Sequence, residues 1–188
     1  MKLRRFLIVF GALCLIGALS LAVYNMAGAA TAGKKAEAVV DRLITDIPSN
    51  PPTDTPKKVT PTIVIDGVRY LGYINIPRLN LNLPVAADYS FEQLSKSPAL
   101  YSGAFTDGNA VVAAHNYVTH FGRLRRLKVG DELIFTDAEG TQYLYTVGWT
   151  EDVLPSNHEQ MVNKNGWDLT LFTCNYDKSV RYTVRCVK

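Results

Sequence analysis

Cysteine and histidine are scarce in this chain, with three of each among 188 residues. A structural zinc site needs four such ligands at characteristic spacings. No C-x-x-C pair occurs, and His115 and His120 are five residues apart, not the four that place two imidazoles on one helical face. No metal site is expected, and no cofactor. Glycine-rich phosphate loops of the Walker or dinucleotide type are missing, which argues against nucleotide chemistry. Excess charge is also missing: the net charge is +3, and Lys2, Arg4 and Arg5 account for three of the basic residues. The rest of the chain is close to neutral and offers no basic field for nucleic acid. No internal repeat is found.

What the chain does have is one long apolar run, Phe6 to Val23, behind that basic flank. The small residues Ala27 to Ala32 resemble a signal-peptidase site. The run is longer than the usual cleaved h-region, however, and matches the roughly 17 to 25 residues that cross a bilayer as a helix. We therefore read residues 1–30 as a retained transmembrane anchor. The basic flank stays cytoplasmic, which puts the remainder outside in a single pass.

Residues 31–67 are expected to hold a short amphipathic helix, with Ala36, Val39, Val40, Leu43, Ile44 and Ile47 on one face. A proline-rich linker, PSNPPTDTPKKVTP, follows from Pro48 to Pro61.

From residue 68 to 188 the texture is that of short strands with turn residues between them. Strands are expected at 69–76, 81–85, 110–114, 132–136, 142–153, 169–173 and 180–187, interrupted by helical patches at 91–95 and 121–127 and a looser segment at 156–165. The natural reading is mainly β, an antiparallel barrel or sandwich. Trp149, Trp167 and the tyrosines read as core and cross-strand packing.

Two segments carry chemistry: VVAAHNY around His115 and TLFTCNYDKSVRYTVRC around Cys174. If residues 175–180 connect two strands, Cys174 faces Arg181 across the hairpin. Arg185 shares the face of Arg181 but lies about 13 Å further along the strand. Cys186 falls near Leu169, roughly 16 Å from Cys174, too far for a disulfide, which needs Cα atoms within about 7 Å. A guanidinium beside Cys174 favours the thiolate and can then stabilise an oxyanion. His115, at the end of an apolar strand, is a candidate proton carrier.

The order AHN (114–116), then TLFTC (170–174), then an arginine opening the next strand resembles the sortase family. LGYINIP (71–77) and FEQLSKSPALY (91–101) are similar to that family's opening strand and first helix. The resemblance covers about 70–188. It implies a closed eight-stranded sortase-type β-barrel with short helices, preceded by the transmembrane helix and linker. It further implies a cysteine transpeptidase that cleaves an L-P-x-T-G-like sorting signal after threonine and passes the thioacyl group to an amine of the cell wall or a pilus. In that scheme Cys174, His115 and Arg181 are catalytic, and Ala113, Phe172 and Thr173 are substrate-binding. The partners implied are sorting-signal-bearing surface proteins, a peptidoglycan-precursor or pilin amine, and the membrane. FGRLRRL and the arginine spacing look class B-like or class D-like, while the aromatic motif of pilin-type lids is missing.

Two other functions compete. An L,D-transpeptidase also orders His before Cys, but its S-x-G-C-x-R pattern is not matched at Thr173-Cys174-Asn175. A non-catalytic, membrane-tethered β-domain would keep Cys174 as a slow-reacting buried thiol. The basic cluster Arg123, Arg125, Arg126 and Lys128 reads as a solvated helix face, its functional alternative being attraction of an anionic acceptor such as a lipid-linked pyrophosphate.

Overall fold

The computed structural model describes residues 2–48, 60–175 and 177–188. Most of the proline-rich stretch expected as a linker lies outside the described residues.

The chain opens with one continuous helix, α1 (Lys2–Asp46). The expected anchor and the expected amphipathic helix are thus one element. The residues between them, 27–35, are alanine, glycine, threonine and lysine with no proline, so nothing interrupts the backbone ladder. A helix of this length spans about 68 Å at 1.5 Å per residue. Its first half is apolar and exposed, long and apolar enough to cross a membrane. Its second half buries Ala32, Ala36, Val40 and Leu43, and Ile47 just past its end is buried with them. These recur every three or four residues, so they form the stripe that packs on the rest of the molecule. Ile44, expected on that face, is exposed.

Among the described residues nine strands follow: β1 (Ile63–Ile65), β2 (Val68–Ile76), β3 (Leu81–Ala86), β4 (Ala99–Ser102), β5 (Ala110–Ala113), β6 (Glu132–Asp137), β7 (Gln142–Val153), β8 (Leu169–Cys174) and β9 (Arg181–Val187). Two short helices, α2 (Phe91–Leu94) and α3 (His158–Val162), and 3₁₀ turns at Pro77–Leu79 and Phe121–Arg126 connect them. β1 and β4 have no counterpart among the expected strands. β1 lies ahead of residue 68 and pairs with the first part of β2.

The strand order is β1-β2-β3-β4-β5-β8-β9-β7-β6, and β6 pairs back onto β2. That pairing closes β2 to β9 into an eight-stranded barrel and leaves β1 as an appendage. The barrel is not purely antiparallel: β3 with β4 and β5 with β8 run parallel. Both pairs are joined by crossovers, the first through α2, which is what a parallel pair requires. Closure depends on Gly72, where β2 shifts register. A Cβ there would run into the Thr136 carbonyl oxygen of β6, and its φ of +141° suits glycine alone.

Strand alternation sorts side chains to two sides. Leu169 and Leu171 of β8, Ala110, Val112 and Ala114 on and just after β5, and Tyr182, Val184 and Cys186 of β9 fill the barrel interior. Val111, Ala113 and Phe172 point the other way, into a second apolar cluster with Leu43, Ile65, Met161 and Trp167. α1 and α3 cover that outer wall.

Candidate active site

The parity of β5 and β8 decides where the chemistry stands. Ala113 is the register partner of Phe172 on parallel strands. Cys174 lies two residues further along β8, on the outward-facing parity, and His115 follows β5 by two residues at the same end of the barrel. Cys174 closes β8 and its thiol is free and exposed. The two strand ends are tied together: Ala114 N donates to the Phe172 carbonyl at 3.2 Å, and the Thr173 hydroxyl donates to the Ala114 carbonyl at 2.8 Å.

On the other side of Cys174 is β9. The register pairs Cys174 with Arg181, Thr170 with Arg185 and Leu169 with Cys186. This is the arrangement expected from a connection at 175–180. Asn175 holds the turn: its N–H donates to the Val180 carbonyl at 3.1 Å, its side-chain carbonyl accepts from Val180 N at 3.3 Å, and its amide reaches Ser179 Oγ at 3.0 Å.

The two arginines of β9 live in different surroundings. Arg185 is 1% exposed and fully committed. It donates to Glu151 at 2.7 Å, to Thr170 Oγ1 at 2.7 Å and to the Met161 and Gln160 carbonyls at 3.0 and 2.6 Å, over the Trp167 ring. Among the described residues, Arg181 has no partner for its buried Nη1. Its guanidinium lies 5.3 Å from the Phe172 ring centre and 5.8 Å from that of Tyr101. One arginine is a structural tie, and the other holds an unused donor beside an exposed thiol.

His115 is half-buried, and burial holds its imidazole below the usual histidine range, helped by the positive charge of Lys178 in the turn. The neutral ring therefore predominates at neutral pH. Its ring centre is 5.0 Å from that of Tyr117, which is 5.4 Å from His120.

A cleft of about 80 Å³ opens beside Cys174, lined by Asn116, Phe121, Gly122, Arg125, Thr173, Asn175 and Tyr182. Arg125 stacks on Tyr182 at 4.2 Å and pairs with Asp152 at 3.0 Å, so this member of the basic cluster is already engaged at the rim. On the Arg181 side lies an aromatic wall. Tyr101 meets Phe172 edge-on at 5.2 Å and Tyr89 at 5.0 Å, and its hydroxyl is 3.1 Å from His158 Nδ1. Burial raises the Tyr89 hydroxyl above the ordinary tyrosine range.

Of the residues expected to bind substrate, Phe172 and Ala113 are buried in this wall, and Thr173 is buried with its hydroxyl turned to Ala114. Sequence reading missed Tyr89, Tyr101 and His158. The usable signal was the tyrosine of the PALY segment ahead of a glycine turn, but β4 was not recognised there.

The sortase domain family matches residues 74–188, more than half of the chain. The chain belongs to the sortase family. Sortases are cysteine transpeptidases, and the closed barrel is theirs. A sortase C from Clostridium perfringens SM101 is 27% identical, over 62% of this chain and 68% of that one, with a TM-score of 0.53. Sortase C1 from Streptococcus suis is 27% identical, over 63% and 72%, with a TM-score of 0.54. Sortase A from Corynebacterium diphtheriae has a TM-score of 0.58 at 24% identity, over 64% of this chain and 60% of that one, a likeness of fold. A sequence search of curated proteins finds no match. Sortases of several classes thus share this fold, and the family as a whole acts on sorting-signal proteins and amine acceptors.

Proposed function

We propose that Cys174 is the nucleophile of this sortase, His115 its proton carrier and Arg181 its oxyanion donor. One observation carries this reading. Parallel register pairs Ala113 with Phe172, two residues ahead of His115 and Cys174, and antiparallel register pairs Arg181 with Cys174.

The reaction follows from those positions. The Cys174 sulfur attacks the threonine carbonyl of an L-P-x-T-G-like signal as His115 takes the thiol proton. The carbonyl oxygen gains charge, and the free Nη1 of Arg181, in a half-buried setting, donates to it. The C–N bond breaks, and His115 returns the proton to the departing amine. An incoming amine of a cell-wall precursor or a pilin then attacks the thioester and gives its proton to His115, the C–S bond breaks, and His115 passes that proton to the departing sulfur to restore the thiol. Phe172, Tyr101 and Tyr89 form an apolar wall beside Arg181 that suits the leucine and proline of the signal. The apolar half of α1 is the membrane anchor in a single pass, with the barrel on the extracytoplasmic side.

The test is incubation of the full chain in detergent with a panel of sorting-signal peptides, with and without an amine. Thioacyl enzyme on Cys174 is expected by mass spectrometry, released by hydroxylamine. Equal turnover by Cys174→Ala, or no cleavage of any peptide by the wild type, would sink the assignment.

A further inference from the structure

The loop that carries His115 is built against α1. After His115 the chain makes a compact turn in which His120 N and Gly122 N both donate to the Tyr117 carbonyl at 2.9 Å, and Phe121 N donates to the His115 carbonyl at 3.1 Å. At its tip the Thr119 hydroxyl donates to the Ala29 carbonyl of α1 at 2.9 Å. Gly33, one helical turn on, gives Thr119 room. A Cβ on Gly33 would lie 2.7 Å from Thr119 Cγ2 and 2.8 Å from its Cβ, closer than real side chains approach. Ala32 and Ala36, on the same face, are 4% and 1% exposed.

Beneath that contact lies His120, wholly buried, with neither ring nitrogen in a well-formed hydrogen bond among the described residues and the Ala32 backbone beside it. A buried imidazole without a well-formed hydrogen bond is a cost that the fold carries locally. The ring is held between the Ala32 turn of α1 and Tyr117, and Tyr117 in turn lies against His115. From helix to imidazole the contacts are continuous: Ala29 and Gly33 to Thr119, then His120, Tyr117 and His115.

We infer that the 29–36 turns of α1 are a positioning element of the active site, with Thr119 as the residue that seats the His115 loop upon them. Small side chains let the loop backbone approach the helix closely, and the Thr119 bond fixes its depth. In this arrangement α1 does more than tether the barrel: the proton carrier takes its place from the same helix. The inference rests on the reading of His115 as proton carrier.

Three variants of the full chain in detergent or nanodiscs test it. Thr119→Val keeps the packing shape over Gly33 but cannot donate to Ala29, Thr119→Ser restores the donor, and Gly33→Val wedges the contact apart. Expected for Thr119→Val and Gly33→Val is a fall of about tenfold or more in kcat with KM within twofold, a melting temperature close to wild type, and return toward wild type in Thr119→Ser. Hydrogen exchange at the amides of 120–122 should accelerate in the same two variants, a readout that needs no turnover. Wild-type kcat and exchange in both variants would overturn the seat. So would a kcat loss that follows the melting temperature down and is not recovered by Thr119→Ser. A wild-type chain that turns over no peptide would instead remove the functional reading, and the exchange data would still decide whether the loop is seated on the helix.

Discussion

The Thr173 hydroxyl donates to the Ala114 carbonyl at 2.8 Å, joining the residue before Cys174 to the residue before His115. Thr173→Val keeps the volume and deletes the bond. A neutral hydrogen bond contributes about 1 kcal/mol net, so the barrel should lose only a few degrees of melting temperature. Misplacement of reacting groups by a fraction of an ångström is expensive. Peptide cleavage by Thr173→Val is expected to fall about tenfold in kcat, more than the stability change accounts for.

The two arginines of β9 should separate function from folding. Arg181→Lys keeps the charge but loses the planar fork. It is expected to reduce kcat by roughly 10² with the melting curve unchanged. Arg185→Leu strands Glu151, Thr170 Oγ1 and two carbonyls around a vacated site. Breaking such a buried pair costs about 3–5 kcal/mol, so denaturant titration should show a large loss of stability. Equal melting curves for the two variants would contradict this division.

Lys178 lowers the affinity of His115 for a proton, in second place to burial. Lys178 sits at φ 59°, a left-handed conformation that asparagine tolerates. Lys178→Asn therefore removes the charge at little backbone cost. Repulsion of the imidazolium is relieved, the His115 pKa rises toward 6.5, and the acid limb of kcat/KM should move to higher pH. High salt should shrink the difference between variant and wild type.

His120 makes the fold acid-sensitive. Burial pushes its pKa from 6.5 down to about 4, with the His115 charge adding to the effect and the Ala32 backbone opposing it. Between those values the unfolded chain binds a proton that the folded chain refuses. Stability is thus fully present above about pH 6.5 and is lost as pH falls toward 4, at up to about 1.4 kcal/mol per pH unit. Chemical denaturation at pH 7 and pH 5 should show a marked drop for wild type. His120→Phe should flatten most of it, leaving the smaller contribution of the same sign from His115.

Local rules made the Cys174 hairpin legible. A short polar connection between two β-rich runs leaves one register, and that register pairs Cys174 with Arg181 and sends Cys186 to Leu169. The expected antiparallel barrel failed at two pairings because parallel neighbours are set by crossovers many residues long. Nothing in AVVA or LTLFT announces that they run side by side. β4 was missed because ALYS is short and opens after a proline. Least legible was the seat of the His115 loop on α1, some ninety residues upstream. Small residues after an apolar run look like a cleavage signal as much as a docking face, and nothing in their order points to Thr119.

The two thiols of the barrel differ in kind. Cys174 is exposed at a strand end, whereas Cys186 is sealed inside the barrel, its thiol pushed up to about 12 by burial. The molecule carries its own gauge of intactness. With Cys14 replaced by serine, a first alkylation event counts competent sites and a second can occur only when β9 leaves the wall. The interval between the two reports how long the folded barrel survives.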